Sequence, residues 1–312
     1  MKRRLSLAAI ALGLPVIALI AAEFVARYVY RDVRSSGNAR SYFAAREPVA
    51  RTNHLGFRDG EFGPKNPSRY RIVVVGDSLT WGVGIEDHER FSNRLQQILG
   101  PRYEVLNFGH PGSNLPEHLE VLELALTVAP DFVLLQLYPN DFEMPDMRRP
   151  QPYHLVPWRG LNQRLIESFI VYNMLAGEWE AIQEAVGISE SYPRYMRREL
   201  GDPSSPHALR AFPMLRRFIE RARGAGVPAG IVFFPWPTGL GPSYQLGFLH
   251  DRVAAICADE HIRCLDLRAD YASGFRTAQS IWVSRWDSHP NARANRRAAD
   301  EIVATFASHW YD

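Results

Sequence analysis

Ile72-Val73-Val74-Val75-Gly76-Asp77-Ser78-Leu79 places four apolar, β-branched residues in a row, ends them with glycine, and continues at once with an acid and a hydroxyl. A run without polar alternation suits a strand covered on both faces, as parallel strands are between two helical layers. Glycine at the strand end allows a sharp turn that lifts the Ser78 hydroxyl clear of the sheet. Beyond this run, helical and extended stretches alternate. Phe91, Leu95, Ile98 and Leu99 share one helical face, a strand comes next near Tyr103–Asn107, a helix near Leu115–Val128, and a strand over Phe132–Leu137. The pattern resumes with a helix over Leu209–Arg223, stopped by Gly224 and Gly226, then a strand over Val227–Phe234. A helix over Tyr244–Ala258, a fifth strand over Ile262–Leu267 and a last helix after Pro290 complete it. This predicts an α/β fold, a three-layer α/β/α sandwich with a mostly parallel five-stranded sheet. Ligands of such sheets sit at the carboxyl ends of the strands, so the residues that do chemistry are expected there.

The 312 residues carry 36 Lys and Arg against 34 Asp and Glu, a formal charge of +2. The basic residues are scattered, which excludes the electrostatic footprint of a nucleic-acid binder. Lys2, Arg3 and Arg4 precede an apolar run from Leu5 to Ala22, long enough to cross a bilayer as a helix. Two readings stay open, a cleaved signal peptide and an uncleaved anchor; no small-x-small cleavage site ends the run, so the anchor is preferred. Either one exports the rest of the chain. The expected organisation is an N-terminal transmembrane anchor over 1–30, a polar stalk and lead-in over 31–67, and a catalytic domain over 68–312. Within that domain the stretch at about 142–200 breaks the alternation. It is read as an insertion near the mouth of the site that either packs over the sheet edge or acts as a substrate-selecting lid. Cys257 and Cys264 could form one disulfide or remain two buried thiols. Two cysteines without clustered histidines give no zinc signal, and no metal or other cofactor is expected.

Four short stretches carry chemistry. A serine hydroxyl such as that of Ser78 is a poor nucleophile until a base and an oxyanion site are supplied. Asn107-Phe108-Gly109-His110-Pro111-Gly112-Ser113 comes directly after the second strand, and its glycines let a backbone N–H approach a ligand. Tyr138-Pro139-Asn140-Asp141 ends the third strand, where Asn140 offers a neutral donor to a developing alkoxide. In Trp286-Asp287-Ser288-His289-Pro290-Asn291, His289 can take the serine proton while Asp287 fixes its tautomer. Lesser candidates are Asp77 as a turn organiser, Asp141 to orient Asn140 or cap a helix, and His110 as a loop residue. His88, His118 and His250 read as surface residues of helices. Asp266 and Asp270 would support the His289 loop or cap a helix, and Phe233-Phe234-Pro235-Trp236-Pro237 would wall the pocket.

This ordered set resembles the SGNH or GDSL hydrolase superfamily, from about Asn53 to the C-terminus. The matching residues are Ser78 in Gly-Asp-Ser-Leu, Gly112 in the glycine block, Asn140 in the Asn-Asp block and His289 before the last helix. Asn53-His54-Leu55-Gly56-Phe57-Arg58-Asp59 also resembles the lead-in of membrane-anchored bacterial members. The resemblance implies a flavodoxin-like sheet and a Ser78–His289–Asp287 triad. It also implies an oxyanion hole of the Ser78 N–H, the Gly112 N–H and the Asn140 side chain. Two departures stand out: Tyr138 occupies a position that is commonly glycine, and the acid lies two residues before the histidine instead of three. The expected activity is hydrolysis of acyl esters, O-acetyl or short-chain, on glycans or small esters outside the cytoplasm. The alternatives are O-acyl transfer through the same acyl-enzyme, lysophospholipase or thioesterase action, and non-catalytic glycan binding. The expected partners are an acyl-ester substrate and the membrane; the oligomeric state is left open.

Overall fold

The computed structural model describes residues 2–31, 50–150, 152–285 and 287–310, with 2–12 described by their backbone alone. These residues form two compact units, one of 2–31 with 149–191 and one of 50–148 with 192–310. In chain order the helices are α1 (Lys2–Val29), α2 (Ser78–Trp81), α3 (Phe91–Leu99), α4 (Leu115–Thr127), α5 (Arg159–Ser168) and α6 (Ile170–Ala185). They continue as α7 (Tyr192–Leu200), α8 (Ala208–Gly224), α9 (Gly247–Asp259), α10 (Arg268–Gly274) and α11 (Ala292–Trp310).

The second unit is built on five strands, β1 (Tyr70–Gly76), β2 (Tyr103–Gly109), β3 (Phe132–Leu137), β4 (Ala229–Phe233) and β5 (Arg263–Asp266). They pair in parallel in the order β2-β1-β3-β4-β5. Alternate residues of β1 serve opposite layers. Val73 and Val75 join the core with residues of α4, α8 and α9, whereas Ile72 and Val74 join the core with α3 and α11. Every side chain of the run is therefore buried whichever way it points, which is why it lacks polar alternation. Each such burial contributes about 1.5–3 kcal/mol before entropy is counted.

The boundaries differ from expectation in two places. Phe57 and Phe62 each lie 4.6 Å from the Phe108 ring, so residues 50–67 pack into the second unit instead of forming a free stalk. Phe142, Met144, Tyr195, Met196 and Leu200 belong to the same core, which leaves only 149–191 as the inserted element. Cys257 at the end of α9 and Cys264 on β5 are bonded, with Cα atoms 6.3 Å apart. Among the described residues no helix is long and apolar enough to cross a membrane. The expected anchor over Leu5–Ala22 begins on residues whose side chains lie outside the described ones. Residues 32–49 of the expected stalk also lie outside them.

Candidate active site

The site is assembled where β1, β2 and β3 end. The Asp77 carboxylate accepts the Leu79 N–H at 2.9 Å and so starts the short helix α2 at Ser78. Gly76 does not adopt a positive φ, so the sharp turn expected of it is not its contribution. It is there because the chain is crowded: a Cβ on it would stand 2.3 Å from Thr80 Oγ1 and 2.4 Å from Gln136 Oε1. Gln136 is the polar residue of an otherwise apolar strand, Phe132-Val133-Leu134-Leu135-Gln136-Leu137. Its Oε1 accepts Asp77 N–H at 3.2 Å, Thr80 N–H at 3.2 Å and Thr80 Oγ1–H at 2.7 Å. That polar interruption was the signal by which the sequence marked it.

Ser78 Oγ lies 2.9 Å from His289 Nε2, and His289 Nδ1 lies 2.6 Å from Asp287 Oδ1. The same Oδ1 accepts the His289 backbone N–H at 3.0 Å. The carboxylate thus folds back onto the residue two ahead, as Asx turns do, and this is how the shorter spacing reaches the ring. The Asp287 carboxylate is buried and the imidazole is partly exposed. Trp286, three residues before His289, lies outside the described residues. Both Asp287 and His289 stand on β7 (Asp287–Pro290), which pairs antiparallel with β6 (Trp282–Ser284). Asn291 ties this ribbon down, accepting Ala294 N–H at 3.0 Å and donating to Ser280 O at 2.9 Å. Asn295 donates to Pro290 O at 2.8 Å and accepts Phe91 N–H at 3.0 Å, which joins the ribbon to α11 and α3.

Asn140 sits in a single 3-10 turn, Pro139–Phe142. The turn is held by Asp141, whose Oδ2 accepts the Tyr138 N–H at 2.7 Å. Asp141 Oδ1 lies 3.3 Å from His118 Nε2, and His118 Nδ1 lies 3.4 Å from Ser113 Oγ. His118, expected at the surface, is therefore buried between the glycine loop and the asparagine turn. Burial, with the Asp141 charge, raises the Asp77 carboxyl, and burial raises Asp141 well above the carboxylate range. Burial pushes His118 down to about 4, so its imidazole is neutral at neutral pH.

Asp77, Ser78, Tyr138, Asn140, Trp236 and His289 are among the residues lining a pocket of about 200 Å³. Tyr192 and Ser288 also line it, and Tyr192 stacks on Trp236 at 4.5 Å. Gly112 is not brought into this lining; it stands exposed on the loop after β2 with φ +79°. His110 is likewise an exposed loop residue, and His88 is exposed. His250 is buried, not superficial: Nδ1 lies 2.9 Å from Asp266 Oδ1 and Nε2 lies 3.3 Å from the Tyr244 hydroxyl. That hydroxyl accepts the Trp236 N–H at 2.8 Å, so the chain steadies the pocket wall. Asp266 also accepts the Arg268 N–H at 2.9 Å, and Asp270 pairs with Arg297 at 3.1 Å; neither serves the His289 loop.

The lead-in acquires a role. Arg58 is buried and donates to Gly82 O at 2.6 Å and Ile85 O at 2.8 Å, bracing the loop after α2. Asp59 Oδ2 accepts the Asn107 N–H at 2.8 Å, and Asn107 Nδ2 donates to Thr80 O at 2.6 Å. Asn53 Oδ1 accepts Leu55 and Phe57 N–H at 3.1 and 3.0 Å and shapes the turn that presents the pair.

The parallel sheet with these residues at its carboxyl edge is the α/β fold of SGNH-type hydrolases. Residues 74–297 match the model of the GDSL-like lipase/acylhydrolase family; the chain belongs to that family and is an ester-hydrolysing enzyme. Among solved structures it is similar to a crystal structure of TesA, at 17% identity and a TM-score of 0.47, over 76% of this chain and 98% of that one. It is similar also to an inhibitor-bound aryl esterase of M. smegmatis, at 16% identity and a TM-score of 0.44, over 77% and 99%. A third is a GDSL-family lipolytic protein from Veillonella parvula, at 14% identity and a TM-score of 0.45, over 76% and 98%. No curated protein matches the sequence.

Proposed function

We propose that the protein is a serine esterase for short acyl esters, carried on glycans or small alcohols outside the cytoplasm. The observation that carries the reading is the series Ser78–His289–Asp287 opening onto an aromatic pocket of about 200 Å³. That volume is below the roughly 300–1,000 Å³ of sites for larger ligands, which favours a short acyl chain. Tyr138, where the family commonly has glycine, fills part of the space.

In this reading Ser78 Oγ attacks the ester carbonyl carbon as His289 Nε2 takes its proton. Asp287 accepts the Nδ1–H and stabilises the imidazolium without taking the proton. The Ser78 N–H and the Asn140 side-chain amide receive the tetrahedral oxyanion, and the family resemblance adds the Gly112 N–H as a third donor. The imidazolium protonates the leaving alcohol and the acyl group stays on Ser78. Water, deprotonated by His289, then releases the carboxylic acid and restores the serine. The chain's own residues complete this cycle.

The N-terminal helix holds the enzyme to a membrane, with the catalytic unit on the periplasmic or extracellular side. The basic Lys2–Arg4 before the apolar run supports this orientation, and the Cys257–Cys264 bond supports an oxidising compartment. The test is a series of nitrophenyl esters from acetate to decanoate on the full chain, beside Ser78→Ala and Tyr138→Gly. Wild type should prefer acetate, Ser78→Ala should be inactive, and Tyr138→Gly should move the optimum to longer chains. Equal rates for wild type and Ser78→Ala would refute the nucleophile.

A further inference from the structure

Among the described residues, most of the exposed large apolar side chains lie in one unit. Among the described residues all but Ile98, Leu124 and Leu209 belong to α1, to the α5–α6 hairpin or to its flanking segments. Patches of this kind on a folded chain mark an interaction surface. From Leu14 to Ala22 every residue of α1 is exposed, and none is charged. The helix is thus apolar on all sides for two and a half turns, whereas a protein partner would cover only one side. A surrounding apolar medium covers all of them, and that medium is lipid.

At Glu23 the helix changes character. Glu23, Ala26, Arg27 and Tyr30 recur at the spacing of one helical face and are less exposed than their neighbours. The Glu23 carboxylate accepts the Ile170 and Val171 N–H groups at 3.2 and 2.9 Å, capping the first turn of α6. It also pairs with Arg27 at 2.8 Å, and Arg27 donates to Ser168 O at 2.6 Å at the end of α5. The joint between the two hairpin helices is therefore fastened to α1 just past its all-apolar stretch. Tyr28, past Glu23 on α1, is exposed, and Trp158 before α5 is 72% exposed. Aromatic rings with a polar edge favour the boundary between headgroups and hydrocarbon. An apolar groove of about 420 Å³ runs between the helices, lined by Leu19, Phe24, Leu165, Phe169 and Leu175, with Glu23 and Arg27 also on its wall.

We infer that the α5–α6 hairpin is a second membrane-contacting element, lying in the bilayer interface beside α1 with the groove open to lipid acyl chains. Its place in the fold is that of a collar on the anchor. The inference rests on the reading that α1 enters a membrane, and its test separates the two.

The test uses full-length protein in vesicles of phosphatidylethanolamine and phosphatidylglycerol, with the Cys257–Cys264 bond kept oxidised. Single cysteines replace Leu14, Leu161, Ile182 or Ile98 and carry an environment-sensitive fluorophore, and ester hydrolysis of each variant reports its fold. The expected result is a blue shift and quenching by brominated lipid at Leu14→Cys, Leu161→Cys and Ile182→Cys, and neither at Ile98→Cys. If Leu14→Cys responds while the two hairpin labels behave like Ile98→Cys, the hairpin inference falls and the anchor stands. If the protein does not float with vesicles and no label responds, both fall. A hairpin-label shift that tracks protein concentration without lipid would mean that a second copy covers the face, and would also overturn the inference.

Discussion

Asp287 reaches His289 by folding back across a single intervening residue, and its Oδ1 accepts both the ring Nδ1–H and the backbone N–H. One atom thereby sets the tautomer and the local backbone together. Asp287→Asn keeps the shape but presents an amide where, in the proposed cycle, a carboxylate stabilises the imidazolium. We expect kcat to fall on the order of 10³–10⁴-fold with KM nearly unchanged. A loss in KM alone would mean that the carboxylate serves binding. Asn140 is tested in the same way. In the proposed mechanism its amide acts on charge that develops only in the transition state, so Asn140→Ala should lower kcat on the order of 10²–10³-fold. Steady-state kinetics on acetate esters distinguishes this from a change in ground-state binding. Ser78 and Asn140 were legible because each follows the end of a clear strand run, and His289 because its block precedes the last helix in the ordered set of motifs. His118 and His250 were not, because nothing in a helical pattern says which side of the helix another element will cover.

At the level of elements, the strand ends do the positioning. β3 supplies Gln136, whose single oxygen takes three donors from the nucleophile turn, so the turn is held by the neighbouring strand as well as by its own cap. Gln136→Leu is close in volume and leaves those donors buried without an acceptor. The cost should be about 2–4 kcal/mol. The urea midpoint should drop accordingly, and kcat should fall further than stability explains, because Ser78 loses its fixed position. Unchanged kcat in the folded variant would show that α2 needs no brace from β3. The lead-in obeys the same logic: Arg58 and Asp59 span from the loop after α2 to β2, which joins two of the elements that carry the site. The sequence displayed this motif plainly, but its partners lie 24 and 48 residues away along the chain, so its purpose was hidden.

For the molecule as a whole, the buried group beneath the site ties stability to pH. His118 titrates at about 4 when folded, against an ordinary value of 6.5. As pH falls through 6.5 the unfolded chain takes up a proton that the folded chain refuses until about 4. The stability owed to the neutral imidazole is therefore complete above 6.5 and is lost as pH falls toward 4. The loss amounts to about 3 kcal/mol. Asp77, raised by burial and by Asp141, acts in the opposite sense, since its unfolded form ionises first as pH rises. His118→Asn removes the first contribution and leaves the second. Its unfolding free energy should lose less than wild type between pH 7 and pH 5, measured by urea denaturation at each pH. Parallel curves would show that His118 is not the group responsible.

The sheet, and the Ser78, His289 and Asn140 side chains that it brings to one pocket, were already written in the linear chain. Both rest on local patterns: a β-branched run buried on two faces, glycines at strand ends, and polar residues where strands stop. The remaining features were settled by three-dimensional packing. The lead-in became part of the catalytic unit because Phe57 and Phe62 found Phe108, and the insertion shrank to 149–191 because Phe142 and Tyr195 entered the sheet's core. The two-residue spacing of Asp287 and His289 became workable through a backbone turn. In each case the deciding contact joins residues whose pairing depends on how distant elements pack or how one turn closes, and a linear pattern carries no record of either.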